Sequence, residues 1–404
     1  MLVGSGCGGA GEAEPAGGER SARDARALVE HLEAMHPEPY HDVSRARLRA
    51  AADGLAARAA ELDDDELLVG LMRLAALPGR ADGHTGIFPL DESHRRQLHL
   101  LPLRLYRFPE GWFVVGQVGG EDLVGGRVVA VGGRPVADVA ALVAPLVPAD
   151  NAWSRRARVA QWLVVVEVLR GLGLEPLVEV ERDGRRVEVG PDGVPAQAWR
   201  VAFPDLFHPM VPQGLPRRDS PPWLARREEP WWTAELAGGR VAYGALNVTL
   251  GDVGAFAEEL DELASRRGVD TLVLDLRHNP GGDNFTYPPL LELLQRHDGE
   301  RRLVVLIGRT TFSAAGNLIA EVEATTSARF VGEPSGASPT QWGDAAPVTL
   351  PASGWSFHAA TRFWPKAGPG DRRPALVPHE HVQLAAADFL AGRDPVLEHV
   401  LRPR

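Results

Sequence analysis

Ser313 lies in Thr311-Phe312-Ser313-Ala314-Ala315, where a strand-like apolar run, Leu303–Ile307, passes through Gly308 into a helix-like run, Ala314–Glu323. A hydroxyl at such a junction sits beside the unpaired backbone donors and positive dipole end of a helix, which favour a developing oxyanion. A serine at a helix start is, on its own, an ordinary N-cap. Upstream by 31 residues (313 − 282), a second apolar strand, Thr271–Leu276, runs into Asn279-Pro280-Gly281-Gly282. Paired glycines there let the backbone approach a ligand and turn its N–H groups outward. The two junctions together point to acyl-transfer chemistry, which neither indicates alone.

A serine hydroxyl is a weak nucleophile until a base takes its proton. Two kinds of base are available. Lys366 is the single lysine of the chain, and keeping it neutral near pH 7 requires lowering its pKa by about three units, about 4–5 kcal/mol of desolvation. A histidine needs no such penalty, because an unperturbed imidazole is already mostly neutral at that pH.

Asp275-Leu276-Arg277-His278-Asn279-Pro280-Gly281-Gly282 followed by the Thr-Phe-Ser-Ala-Ala segment resembles the tail-specific and tricorn-like serine peptidases. The likeness continues through Val331-Gly332-Glu333-Pro334 and Leu350-Pro351 to Gly392–Glu398, most of the C-terminal half. It implies that Ser313 is the nucleophile and that the N–H groups of Gly282 and Ala314 form the oxyanion hole. The tail-specific branch carries its lysine about 25 residues after the serine, where this chain has Ser338, and a glutamate where it has Gly316. The tricorn-like branch uses a histidine, and Asp82-Gly83-His84-Thr85 is similar to its Gly-His-Thr loop, which implies His84 as the base. An acceptor must orient such an imidazole, and the place near the C-terminal end where that branch has a glutamate falls at Asp371. The implied activity is that of a serine endopeptidase acting on peptide or protein substrates through an acyl-enzyme, without a cofactor. A non-catalytic binding protein that has kept the fold, as retinoid-binding relatives have, is the alternative, as is an esterase or amidase with the same machinery.

Composition narrows the field. The 404 residues are 44% hydrophobic and 24% charged with a net charge of −11, enough to bury substantial cores and unlike a nucleic-acid-binding surface, although arginines recur at Arg217–Arg218 and Arg226–Arg227. His278, His358, His379 and His381 lack zinc-type spacing, so no metal is expected. Cys7, the sole cysteine, lies in a Gly/Ala/Glu-rich stretch that resembles a bacterial lipoprotein's cleavage region and tether. Lipid on Cys7, below a leader encoded upstream, would be the one membrane attachment and would place the protein outside the cytoplasm.

The elements that position these residues follow from periodicity. Residues 1–20 read as a flexible tether, and 21–98 as a helical N-terminal cap carrying the His84 loop. Residues 99–195 read as a β-rich subdomain in which Gly125–Val136 resembles a PDZ-like module, with one long helical segment over Ser154–Gly171. From 196 to 404 the reading is an irregular, tryptophan-containing lead-in over 196–236, then alternating strands and helices: a parallel-rich α/β catalytic core similar to the crotonase and Clp-protease type. The fold class expected is α/β, multidomain.

Overall fold

The computed structural model describes residues 17–203, 222–226 and 228–402. Cys7 and Arg217–Arg218 lie outside them.

The continuous apolar runs of the C-terminal half become a six-stranded sheet. Its order is Glu380–His381, Arg329–Gly332, Arg302–Ile307, Thr271–Asp275, Val241–Leu246, Trp231–Leu236. The first five strands are parallel and the last is an antiparallel edge. Val241–Leu246 and Thr271–Asp275 are buried at every position, as a parallel sheet covered on both faces requires. Parallel neighbours need long crossovers, which here are the helices Val253–Ala264, Pro288–His297 and Ser313–Thr325. The first starts where the Asp252 side chain accepts from Ala255 N–H, and it buries Val253, Phe256, Ala257, Leu260, Leu263 and Ala264. These helices pack on one sheet face through Phe256, Leu290, Leu318 and Ile319. The other face, Val273, Val304 and Leu306, is covered by Val396, Leu397 and Val400 of the final helix Pro395–Leu401.

In the N-terminal half three helices, Gly17–Met35, Arg45–Arg58 and Asp64–Ala75, precede an antiparallel sheet of Leu103–Phe108, Gly111–Gln117, Arg127–Val131, Val178–Arg182 and Arg185–Val189. The third helix opens with a capping box of Asp63 and Glu66. One hydrophobic cluster runs from Leu28 and Leu68 through Leu103, Val114 and Trp162, and takes in Leu350, Trp355 and Phe357 from a hairpin far along the chain. The α/β, multidomain expectation holds, with the sheets linked by shared packing. Among the described residues no helix is long and apolar enough to cross a membrane.

Two local expectations need correction. Residues 231–236 are not irregular: Trp231–Leu236 pairs with Val241–Leu246 across a tight turn whose Ala237, Gly238 and Gly239 all have positive φ. The helical segment over Ser154–Gly171 is two helices, Ala152–Trp162 and Val166–Gly171, because the extended backbone of Val165 interrupts it.

A buried ion triad ties the sheet to the C terminus. The Arg277 guanidinium donates to Asp275 at 2.6 Å and to both oxygens of Asp394 at 2.8 and 2.9 Å, and Asp394 caps the final helix through Leu397 N–H. Removing the cation leaves two buried carboxylates facing each other. Arg277→Met is therefore expected to destabilise the protein by about 3–5 kcal/mol, measured as a lowered urea midpoint; a loss under about 1 kcal/mol would contradict a buried, committed triad.

Candidate active site

Strand Arg302–Ile307 delivers the chain to helix Ser313–Thr325 through a sharp elbow. Ser313 is in the left-handed region, φ 52°, at a cost of about 1–3 kcal/mol that the surroundings must hold. Phe312 N–H is tied to Asn279 O, and Thr311 Oγ1 to Leu276 O. The glycine turn packs directly on the elbow: a Cβ at Gly281 would come within 2.4 Å of Ser313 Cβ, and one at Gly282 within 2.1 Å of Thr249 O. Their φ values, 112° and 144°, likewise favour glycine.

Buried Asn279 organises the donors. Its Oδ1 accepts from Gly281 N–H (2.9 Å) and Thr249 Oγ1 (3.2 Å), while its Nδ2 donates to Leu246 O (3.0 Å). Gly281 N–H is thus consumed within the turn. Among the described residues the N–H groups of Gly282 and Ala314 have no acceptor.

His84 comes from the other half of the chain and places Nε2 3.0 Å from Ser313 Oγ. Its ring stacks on Phe312 at 4.6 Å, and the Arg158 guanidinium lies over the same Phe312 ring at 4.5 Å. Nδ1 is buried without a hydrogen-bond partner; the Asp82 charge, then the Trp342 backbone, favour the charged form of the ring. Asp371, expected to orient this ring, is not joined to it. Its carboxylate accepts from Arg373 N, Nε and Nη2 at 2.8–2.9 Å, since the adjacent cation is the nearer partner. Lys366 is also occupied: Nζ pairs with Glu321 at 3.0 Å and lies over the Tyr287 and Trp364 rings. Gly316 faces Ala337, whose Cβ would be 2.2 Å from an added one, leaving no room for the glutamate of the tail-specific branch.

Sequence reading missed the residues that hold the histidine loop. Asp150 Oδ1 accepts from Gly83 N–H (2.6 Å) and Oδ2 from Ser338 N–H (2.9 Å), while its carbonyl accepts from Ala81 N–H (3.0 Å). Arg158 donates to Gly83 O (2.6 Å) and Pro148 O (2.7 Å), and Asn151 Nδ2 reaches the carbonyls of Ser335, Gly336 and Pro374. The available signal was Asp150-Asn151 immediately ahead of a helix, where Asn151 is the N-cap. The backbone around Ser338, where the other branch has its lysine, is here a handle for the histidine loop. A further brace comes from His36: Glu38 N–H donates to Nδ1 (3.0 Å), so the proton lies on Nε2, 3.3 Å from Asp82 Oδ2. His41 completes this cluster, but both its ring nitrogens face backbone carbonyls, Glu38 O and Arg80 O, so these donors are spent inside the protein.

Burial, then the Arg158 cation, hold the His84 imidazole down to about 4, against the pull of Asp82 and the Trp342 backbone. Burial pushes Asp150 up to about 7, opposed by its two backbone N–H donors and by Arg158. Burial is thus the main reason that His84 titrates below its ordinary 6.5. A depressed histidine stays neutral, and able to accept the serine proton, to lower pH than a free one. Arg158→Met removes a repelling cation and should move that titration upward, while Arg158→Lys should leave it nearer the starting value. Imidazole NMR titration of both variants checks this; an unmoved midpoint in Arg158→Met contradicts the electrostatic role.

No family model matches the chain, and no curated protein sequence matches it. Among solved structures it is similar to mature CPAF complexed with lactacystin, with a TM-score of 0.63, 14% identity, and 95% of this chain and 97% of that one covered. Mature CPAF by itself gives a TM-score of 0.62 at 14% identity, covering 95% and 96%. The photosystem II D1 C-terminal processing protease gives 0.43 at 15% identity, covering 95% and 96%. These are likenesses of architecture, and the fold of this chain is that of the tail-specific, or C-terminal processing, protease family.

Proposed function

We propose that the protein is a serine endopeptidase in which His84, not a lysine, activates Ser313. The observation that carries this reading is the 3.0 Å approach of His84 Nε2 to the hydroxyl of a serine held in a left-handed elbow. With the neutral imidazole carrying its proton on Nδ1, Nε2 takes the Ser313 proton as Oγ attacks the scissile carbonyl. The carbonyl oxygen becomes an oxyanion between Gly282 N–H and Ala314 N–H. Collapse transfers the proton from His84 to the leaving amine, giving an acyl-enzyme, and water activated by the same histidine releases the acid. Asp371 has no part in this scheme, and Lys366 is already paired with Glu321.

A serine-reactive phosphonate should label Ser313, and peptide cleavage should vanish in Ser313→Ala and His84→Ala but persist in Lys366→Ala. Cleavage by His84→Ala at the parent rate would sink the assignment. Labelling without cleavage of any peptide in a denatured-protein mixture would favour an esterase or amidase.

The rim of the site also supports a peptide substrate. Leu250 and Phe285, 48% and 76% exposed, flank the Gly282 turn, and Phe285 meets Trp364 edge to face at 6.4 Å. Such a shelf suits an apolar substrate side chain near the scissile bond. Phe285→Ala should lower kcat/KM by about tenfold for apolar-rich peptides and leave kcat nearly unchanged; an equal loss for all peptides would contradict the shelf.

A further inference from the structure

Away from the serine, helix Val136–Val143 and helix Ala152–Trp162 enclose a groove of about 350 Å³. Alanines 137, 140 and 141 keep one wall low, Trp112 and Val159 supply apolar surface, and Arg107, Arg155 and Arg156 line the rest. Among the described residues, none of these three arginines is paired with a carboxylate: Arg107 lies over Trp112 (5.6 Å) and Arg156 over Trp153 (5.2 Å). The nearest carboxylate felt by Arg156, Glu333, is already held by Arg309 through two bonds of 2.8 Å. Burial pulls the Arg155 guanidinium down, and burial followed by the Arg107 and Arg309 cations does the same to Arg156. In a chain with 54 acidic side chains against 43 basic ones, three guanidiniums left unpaired around one groove, two of them partly desolvated, form an arrangement that an incoming carboxylate would relieve.

We propose that this groove is an exosite for an acidic segment of a peptide or protein, bound through its carboxylates by Arg107, Arg155 and Arg156. Guanidinium forks suit side-chain carboxylates, and the wall of small alanines leaves room for the residues between them. A long polyanion such as a nucleic acid would meet the field of a protein of net charge −11, whereas a short acidic stretch engages only the local patch. The recognition is by side chains between two helices and needs no strand added to a sheet edge. The groove also shares a frame with the candidate active site. Its second helix begins beside Asp150 and Asn151, and Arg309, four residues before Ser313, donates to Arg107 O at 2.8 Å. For its use in selecting substrates the exosite rests on the peptidase reading; for binding it does not.

The test uses the full chain carrying Ser313→Ala and a fluorescein-labelled peptide with alternating glutamate and aliphatic residues, followed by anisotropy. Saturable binding is expected, weakened about tenfold or more by Arg155→Ala with Arg156→Ala, lost when lysine or glutamine replaces glutamate, and reduced by salt. The exposed Arg107→Ala should weaken binding without disturbing the fold, and Arg155→Lys with Arg156→Lys should retain part of it. Equal affinity for the glutamine peptide, or for the double alanine variant with unchanged circular dichroism, would overturn the proposal. So would an oligonucleotide or anionic vesicle that binds more tightly through the same arginines. In the active chain, appending the acidic segment to a cleaved peptide should lower KM and not raise kcat. Arginine-dependent binding by a chain that cleaves nothing would leave the exosite standing and the peptidase reading fallen; cleavage with no arginine-dependent binding would do the reverse.

Discussion

The contact of His84 Nε2 with Ser313 Oγ joins residues 229 positions apart, and much of the architecture can be understood as what makes that contact possible. Neither partner could hold it alone. The serine stands in a backbone conformation that most side chains avoid, and the histidine lies on a loop without regular structure. Each is fixed from outside: the serine by the glycine turn packed against it and by Phe312, the histidine by Asp150, Arg158 and the backbone around Trp342. Phe312 serves both, since His84 stacks on its ring and Arg158 lies over it.

The electrostatics follow from that construction. Burial of a titratable group favours its neutral form. His84 is pushed down and Asp150 up by the same cause, while Arg158 is lowered to about 10, with Asp150 opposing the shift. Away from the loop, two sets of buried charge are tightly bonded: Arg277 with Asp275 and Asp394, and Arg309 with Glu333. The arginines of the helix-lined groove depart from this pattern, and that contrast marks the groove out.

The segment Ala152–Gly171 connects the N-terminal core to the histidine loop. It packs its apolar side into the N-terminal core through Val159, Trp162 and Leu169, and at its entrance presents Asp150 and Asn151 to the loops at Gly83, Ser335 and Ser338. A β-rich subdomain alone would leave the histidine loop without that support.

Local patterns sufficed where the physics is local. Buried apolar runs alternating with helical spacing announced the parallel core, because a strand covered on both faces must be apolar throughout. Asn279-Pro280-Gly281-Gly282 announced a close backbone approach, because the φ values of Gly281 and Gly282 favour glycine. The roles assigned to Ser313, Gly282, Ala314 and His84 rested on the resemblance of their segments, and the structure brings Ser313 and His84 together. Asp371 does not orient His84: it was placed by position along the chain, but its carboxylate is captured by Arg373 two residues away, and His84 Nδ1 is buried without a hydrogen-bond partner. Asp150 and Arg158 were hidden, since their roles lie in bonds to main-chain atoms of a distant loop. The depressed histidine was hidden too, for a pKa depends on burial and neighbouring charge. The sequence by itself determined the parallel core and its special turns; only the tertiary structure decided which groups face one another, because desolvation and pairing exist only once distant segments are packed together.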